Sequence, residues 1–201
     1  MKGSLIIVGF FVAGSLCGMF HLLPFSGREM HVSYYVLCAL MCCVGISIGH
    51  DPEALRKFRQ LNPRLLLLPL GTIAGTLGGA LLASLFLSHR SCSDWLAVGA
   101  GFGYYSLSSI FITEYKGAEL GTIALLSNIL RELVTLLFAP WLVRFGGCLA
   151  PISAGGATTM DTTLPVITRY AGKEFAVVSI FHGFVVDFTV PFLVTFFCSL
   201  P

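Results

Sequence analysis

The sequence predicts an all-α fold, a polytopic bundle of transmembrane helices, and three observations carry that expectation. Of 201 residues, 56% are hydrophobic and only 11% charged, with a mean hydropathy of +0.87; a soluble domain carries about 25% charged residues. Too little polar surface remains to coat a water-soluble globule. The apolar residues also fall in blocks about as long as the roughly 20 helical residues that cross a bilayer. Finally, the blocks are continuous rather than alternating, which excludes a β-barrel, the other closed structure that satisfies backbone groups in lipid. One integral membrane domain over residues 1–201 is expected.

About seven segments follow in order, at 4–24, 32–49, 65–87, 95–113, 119–144, 149–169 and 175–199. The first starts just after Lys2 and could be mistaken for a secretory signal. It is longer than a usual signal core and no A-x-A-like cleavage site follows, so it reads as a retained helix. The second ends at the loop 50–64, where Arg56, Lys57, Arg59 and Arg64 form the densest basic cluster. The positive-inside preference puts that loop in the cytoplasm. The third segment carries Gly71, Gly75 and Gly79 at four-residue spacing, a small-residue face suited to close helix packing.

The fourth segment contains Gly99-Ala100-Gly101-Phe102-Gly103-Tyr104-Tyr105-Ser106-Leu107-Ser108-Ser109. No strand–helix unit surrounds it, so it is not a nucleotide loop. Glycines followed by hydroxyl residues at membrane depth point to a helix that unwinds, with Tyr105, Ser106 and Ser108 beside the break. The sixth segment repeats the pattern in Gly155-Gly156-Ala157-Thr158-Thr159-Met160-Asp161-Thr162-Thr163-Leu164-Pro165. There Thr158 has the spacing to cap a half-helix with Asp161 at its third position. Two glycine-interrupted segments, broken or re-entrant, are the best pointer in a sequence to a transporter binding site. Free N–H groups at a break can hold a carboxylate, and free carbonyls a cation. The competing reading is that the glycines serve packing and Asp161 only caps.

The fifth segment holds the residue that most needs explaining. Glu132 lies about 20 Å along it at 1.5 Å per residue, and an ionisable group at that depth costs about 2.5–3.5 kcal/mol on insertion scales. Asn128, Arg131, Glu132 and Thr135 share one stripe, which Gly121, Ala124 and Ala139 extend with small residues; Leu125, Leu126, Leu133 and Leu137 lie elsewhere around the helix. Either Arg131 and Glu132 neutralise one another or their neighbours and tie helices together, or Glu132 binds a cation or a proton. In the seventh segment His182 and Asp187 are about 140° apart around a helix and do not form a paired face. His182 reads as a hydrogen-bonded interior residue or as a proton relay, and Asp187 as a deep, unassigned acid.

Letting every segment cross places Lys2, Lys116, Arg169 and Lys173 inside with the basic loop, and Arg28, Arg90 and Arg144 outside. The N-terminus is then inside and the C-terminus outside, provided that 149–169 crosses. Seven cysteines, five of them (Cys17, Cys38, Cys42, Cys43 and Cys198) in apolar blocks and none in a C-x-x-C pair, read as small hydrophobes, with no zinc, other metal or disulfide framework. A net charge of +2 points to no nucleic acid. No cofactor motif is present, and no H-E-x-x-H or other catalytic constellation suggests an enzyme.

The stretches Gly101–Ser108, Asn128-Ile129-Leu130-Arg131-Glu132-Leu133, Ala157–Val166 and His182-Gly183-Phe184 occur in the order and form found in the bacterial L-lysine exporters of the LysO type, which the chain resembles over roughly residues 33–199. The resemblance implies an inner-membrane protein that exports lysine, with membrane lipid and L-lysine as partners. It also implies that Glu132, in its R-E-L context, is an intramembrane acid that matters for transport. Full-length family members are longer, with an N-terminal portion that brings a further acid. A small membrane subunit or a homo-oligomer would therefore supply the rest. Val44–Asp51 resembles a motif of both family portions, which makes Asp51 a weaker candidate.

Lysine carries a net positive charge, and moving it outward against an inside-negative potential costs about 2.3 kcal/mol per 100 mV. An exporter therefore needs coupling, to an entering proton or sodium ion. Glu132 would alternate between the ammonium and that ion, and a half-helix end near Thr158 and Thr159 would hold the α-carboxylate. A transporter of another solute, a nontransporting membrane subunit and an intramembrane enzyme are the competing classes.

Overall fold

The computed structural model describes Leu16, Cys17, Leu65 and residues 67–87 and 89–200. Apart from Leu16 and Cys17, which are helical, segments 4–24 and 32–49 lie outside the described residues, as do the basic loop and Asp51. The chain divides into two units, Met1–Val44 and Gly45–Pro201, and every element below belongs to the second. No strand occurs among the described residues, so the all-α expectation holds. The helices are α1 (Leu67–Ser84), α2 (Cys92–Gly99), α3 (Tyr105–Lys116), α4 (Ala118–Gly146), α5 (Ala150–Gly155), α6 (Leu164–Tyr170) and α7 (Ala176–Ser199), with 3-10 turns at Gly156–Met160 and Lys173–Phe175.

Three of these are long and apolar enough to cross a membrane: α1, α4 and α7 with its leading turn. On α4 the predicted stripe is the packed one, with Leu120, Gly121, Ala124, Asn128, Thr135 and Ala139 all buried. Leu126 and Leu137 on its other faces are 55% and 70% exposed, as side chains facing lipid would be. Small residues on the packed stripe let neighbouring helices approach, which is how helices associate where no water drives them together.

Both segments that were expected to be interrupted are broken, and both turn back. Cys92 lies beside Ser84 at the end of α1, with the hydroxyl 3.6 Å from the thiol sulfur, and Trp95 donates to the Leu87 carbonyl at 3.0 Å. Lys116, at the far end of the same segment, lies 3.1 Å from Asp94, and Arg90 lies 2.7 Å from Glu119 at the start of α4. The α2–α3 pair therefore enters and leaves at one end of the bundle, the Glu119 end. The α5–α6 pair does the same at the opposite end, where Ile152, Ile167, Ala171 and Val178 form one buried cluster against Leu65, Leu68, Val143 and Leu149. Of the two forms expected for these segments, broken or re-entrant, both hairpins take the second, which overturns only the scheme in which every segment crosses. Length could not settle it, because α2 and α3 laid end to end would measure about 30 Å at 1.5 Å per residue, enough to span. The backbone at the break reverses the chain, with φ of 45° at Phe102 and 96° at Gly103.

The two hairpin tips meet midway. The Ala157 amide donates to the Phe102 carbonyl at 2.9 Å. Gly156 sits at φ 65°, and a Cβ there would collide with that same carbonyl. Gly183 of α7 leaves room for the 3-10 turn, since a Cβ would lie 2.6 Å from the Met160 nitrogen.

Two outcomes follow from this topology. In a chain freed of its native cysteines, single cysteines placed at Gly117 and Leu200 label from the same side of the membrane, and one at Gly147 from the other. Opposite labelling of Gly117 and Leu200 rules out the α2–α3 hairpin. Gly156→Ala lowers thermal stability in detergent by about 2 kcal/mol or more, from left-handed strain and the clash together. Gly71→Ala, which meets nothing within 4 Å, leaves the melting temperature unchanged or higher.

Candidate functional site

Interrupting a helix frees N–H and carbonyl groups that lipid cannot satisfy, and the side chains around the tips take up that role. Asn128 accepts from the Gly103 amide at 2.7 Å and donates to the Ala124 carbonyl at 2.8 Å. Ser108 donates to the Tyr104 carbonyl at 2.8 Å. Arg131 lies across the end of α5: Nε donates to the Ala154 carbonyl at 2.7 Å, one terminal nitrogen to the Ser153 carbonyl at 3.0 Å, and the other to the Thr76 hydroxyl at 3.2 Å. Every arm of the guanidinium thus meets an oxygen that is not Glu132.

His182 is fully buried and lies between two hydroxyls, Nε2 at 2.9 Å from Thr72 Oγ1 and Nδ1 at 3.3 Å from Thr159 Oγ1. Thr159 donates to the carbonyls of Gly156 and Ser179 at 2.8 and 3.0 Å, and the Ser179 hydroxyl returns a bond to the Thr159 carbonyl at 2.8 Å. This network fastens the 3-10 turn to α7 and α1. Thr158 is not a helix cap, since its hydroxyl donates to the Gly155 carbonyl at 3.0 Å within the turn. The helix that follows begins after Thr163, which makes no side-chain capping bond. The capping-box spacing failed because the chain continues as a 3-10 turn before α6 starts.

On the other side of the tips is a cavity of about 210 Å³. Among the described residues, three carboxylates from three elements line it, Glu132 of α4, Asp161 after the 3-10 turn and Asp187 of α7, and no Lys, Arg or His does. Tyr104, Tyr105 and Ser106 at the start of α3 form one wall, and Thr158, Met160 and Thr162 another. The acids differ in how they are held. Asp161 is exposed and accepts from the Thr162 amide. Glu132 is half-buried and enters no ion pair among the described residues. Asp187 is only 5% exposed, and its Oδ1 has no hydrogen-bond partner. A buried carboxylate without a partner costs several kcal/mol unless it takes up a proton or meets a cation, so this cavity suits either. A larger open cleft of about 590 Å³ between α1 and α4 is bordered by Thr76, Arg131 and Ser153 and carries no carboxylate among the described residues.

Of the residues singled out from sequence, the cavity brings together Glu132, Asp161, Asp187, Tyr105, Ser106 and Thr158. Asn128, Arg131, Ser108, Thr159 and His182 stand behind it and hold its walls in place. Tyr104 and Thr162 were passed over, although both lie inside the quoted break motifs. The signal for them was position, one residue from a residue already chosen.

The sequence profile of the family described as Lysine exporter LysO matches residues 8–198, so the likeness starts further forward than the motifs suggested. The chain is 34% identical over 196 residues to the lysine exporter LysO of Escherichia coli, an alignment covering 98% of this chain and 64% of that protein. It is 32% identical over 198 residues to a Haemophilus influenzae protein named "Putative lysine exporter", covering 98% of this chain and 97% of that one. It thus spans just under two thirds of the Escherichia coli relative's length and nearly all of the other's. No solved structure matches it. With a family profile running over almost its whole length and the family's motifs at both helix breaks, the chain belongs to the lysine exporter LysO family.

Proposed function

We propose that this chain exports L-lysine or a close cationic analogue from the cytoplasm. The observation that carries the reading is the cavity between the hairpin tips, which among the described residues offers three carboxylates and no basic side chain to a solute. Its volume, about 210 Å³, lies below the roughly 300–1,000 Å³ of pockets for drug-sized ligands, as a site for one small amino acid would. The relatives' names supply the identity of the cation. Outward movement of that charge runs against the membrane potential by about 2.3 kcal/mol per 100 mV, so we place a counter-moving proton or sodium ion in the cycle. Glu132, set near the middle of α4, exchanges the two.

The same reading assigns the orientation. Arg144, Arg169 and Lys173 gather at the Leu149 end, and the cluster Arg56, Lys57, Arg59 and Arg64 precedes Leu65 in the chain; Arg90 and Lys116 lie at the Glu119 end. The Leu149 end faces the cytoplasm of a bacterial inner membrane, with the N-terminus inside and the C-terminus outside. The two hairpins move Lys116 outside and Arg144 inside relative to a scheme in which all segments cross. The basic excess on the cytoplasmic side is the same in both.

The test is lysine efflux from preloaded cells, with the chain expressed alone and with a small membrane partner. Glu132→Gln lowers efflux at least about tenfold, the scale of one lost charge-assisted interaction, at an unchanged membrane level. Glu119→Gln, which removes only an exposed ion pair worth about 0–1 kcal/mol, leaves efflux intact. Normal efflux from Glu132→Gln sinks the proposed role.

A further inference from the structure

The start of α3 and the carboxylate of Asp187 open on the same cavity, and each lacks a partner that its surroundings would ordinarily supply. α3 is a 12-residue helix whose N-cap residue, Tyr104, makes no side-chain capping bond. The first-turn amides of a helix have no partner within it and carry the positive end of its dipole. α2, entering the same hairpin, is treated differently: the Ser91 hydroxyl accepts from the Asp94 amide at 3.3 Å. Its start lies at the bundle end, whereas α3 starts at the hairpin tip, with Tyr105 and Ser106 against the cavity.

Asp187 reaches this spot from α7. That helix passes the 3-10 turn at Gly183, and one turn later, toward the Glu119 end, comes Asp187, where α3 begins. Tyr104 and Asp187 line the same cavity. Asp187 is 95% removed from solvent by its 5% exposure, and its Oδ1 is without a hydrogen bond. A positive helix end and an unpaired buried carboxylate side by side complement a group that bears a carboxylate and an ammonium on the same carbon.

We propose that the start of α3 and Asp187 form a head-group subsite for an α-amino acid. The Tyr105 amide is already taken by the Gly103 carbonyl at 3.0 Å, so the amides of Ser106 and Leu107 take the α-carboxylate, Asp187 takes the α-ammonium, and Glu132 is left for the side-chain ammonium. The assignment rests on the export reading and deepens it, because it requires a zwitterionic head as well as a cationic tail.

The experiment measures binding to the purified full chain in lipid nanodiscs with three probes: lysine, 6-aminohexanoate, which lacks the α-ammonium, and cadaverine, which lacks the carboxylate. The unmodified chain binds lysine more tightly than either. Asp187→Asn raises the Kd for lysine roughly 10- to 100-fold, as loss of a charged hydrogen bond does, and leaves that for 6-aminohexanoate unchanged. Asp187→Glu recovers part of the lysine affinity. The ligand-free Asp187→Asn protein melts at or above the unmodified temperature, since no partner loses a bond. Unchanged lysine affinity, an equal loss for lysine and 6-aminohexanoate, or a lowered melting temperature overturns the assignment and leaves the export reading standing. An unmodified chain that binds no lysine overturns both.

Discussion

Backbone groups freed at mid-depth in a membrane bundle have to be satisfied by protein, and most of what surrounds the hairpin tips answers that requirement. Two segments stop being helical at the same level from opposite directions. Each then meets part of the other's need, as the Ala157 amide does for the Phe102 carbonyl. What the tips leave over falls to α4, through Asn128 on one hairpin and Arg131 on the other. The half-buried cation of this helix is thus spent on two peptide oxygens and a hydroxyl, whose partial charges suit a guanidinium with several donors in a fixed fork.

This division explains why two adjacent charged residues need not form a pair. Successive positions on a helix point about 100° apart, so Arg131 turns toward the end of α5 while Glu132 turns into the cavity. Were the arginine used to neutralise the glutamate, the Ser153 and Ala154 carbonyls would lose their donors and the cavity its charge. The helix keeps the two functions on separate faces, and the acid stays available.

Much of this was readable beforehand, for reasons particular to certain residues. Glycine runs at Gly99–Gly103 and Gly155–Gly156 mark interruptions because little else lets backbones touch in left-handed conformations. The α4 stripe was visible because helical periodicity is local. The return of both hairpins was not, since a broken segment of spanning length fits a crossing and a re-entry equally well. Only long-range contacts such as Lys116 with Asp94 decide it. Nor could spacing reveal that Asp187, Asp161 and Glu132 converge, because they come from three elements whose packing no local pattern encodes. His182 looked chemically suggestive for the same reason, and its two hydroxyl neighbours, 110 and 23 residues away in sequence, were out of sight.

The order of elements has a consequence for how a solute leaves the cavity. A long helix followed by a hairpin entered from the Glu119 end, then a long helix followed by a hairpin entered from the Leu149 end, is one unit written twice in opposite senses. Among the described residues, one hairpin stands between the meeting tips and either end of the bundle. Repetition with inversion of this kind puts the meeting tips in a like relation to both ends of the bundle, the arrangement on which access from two sides is built in transporters with inverted repeats.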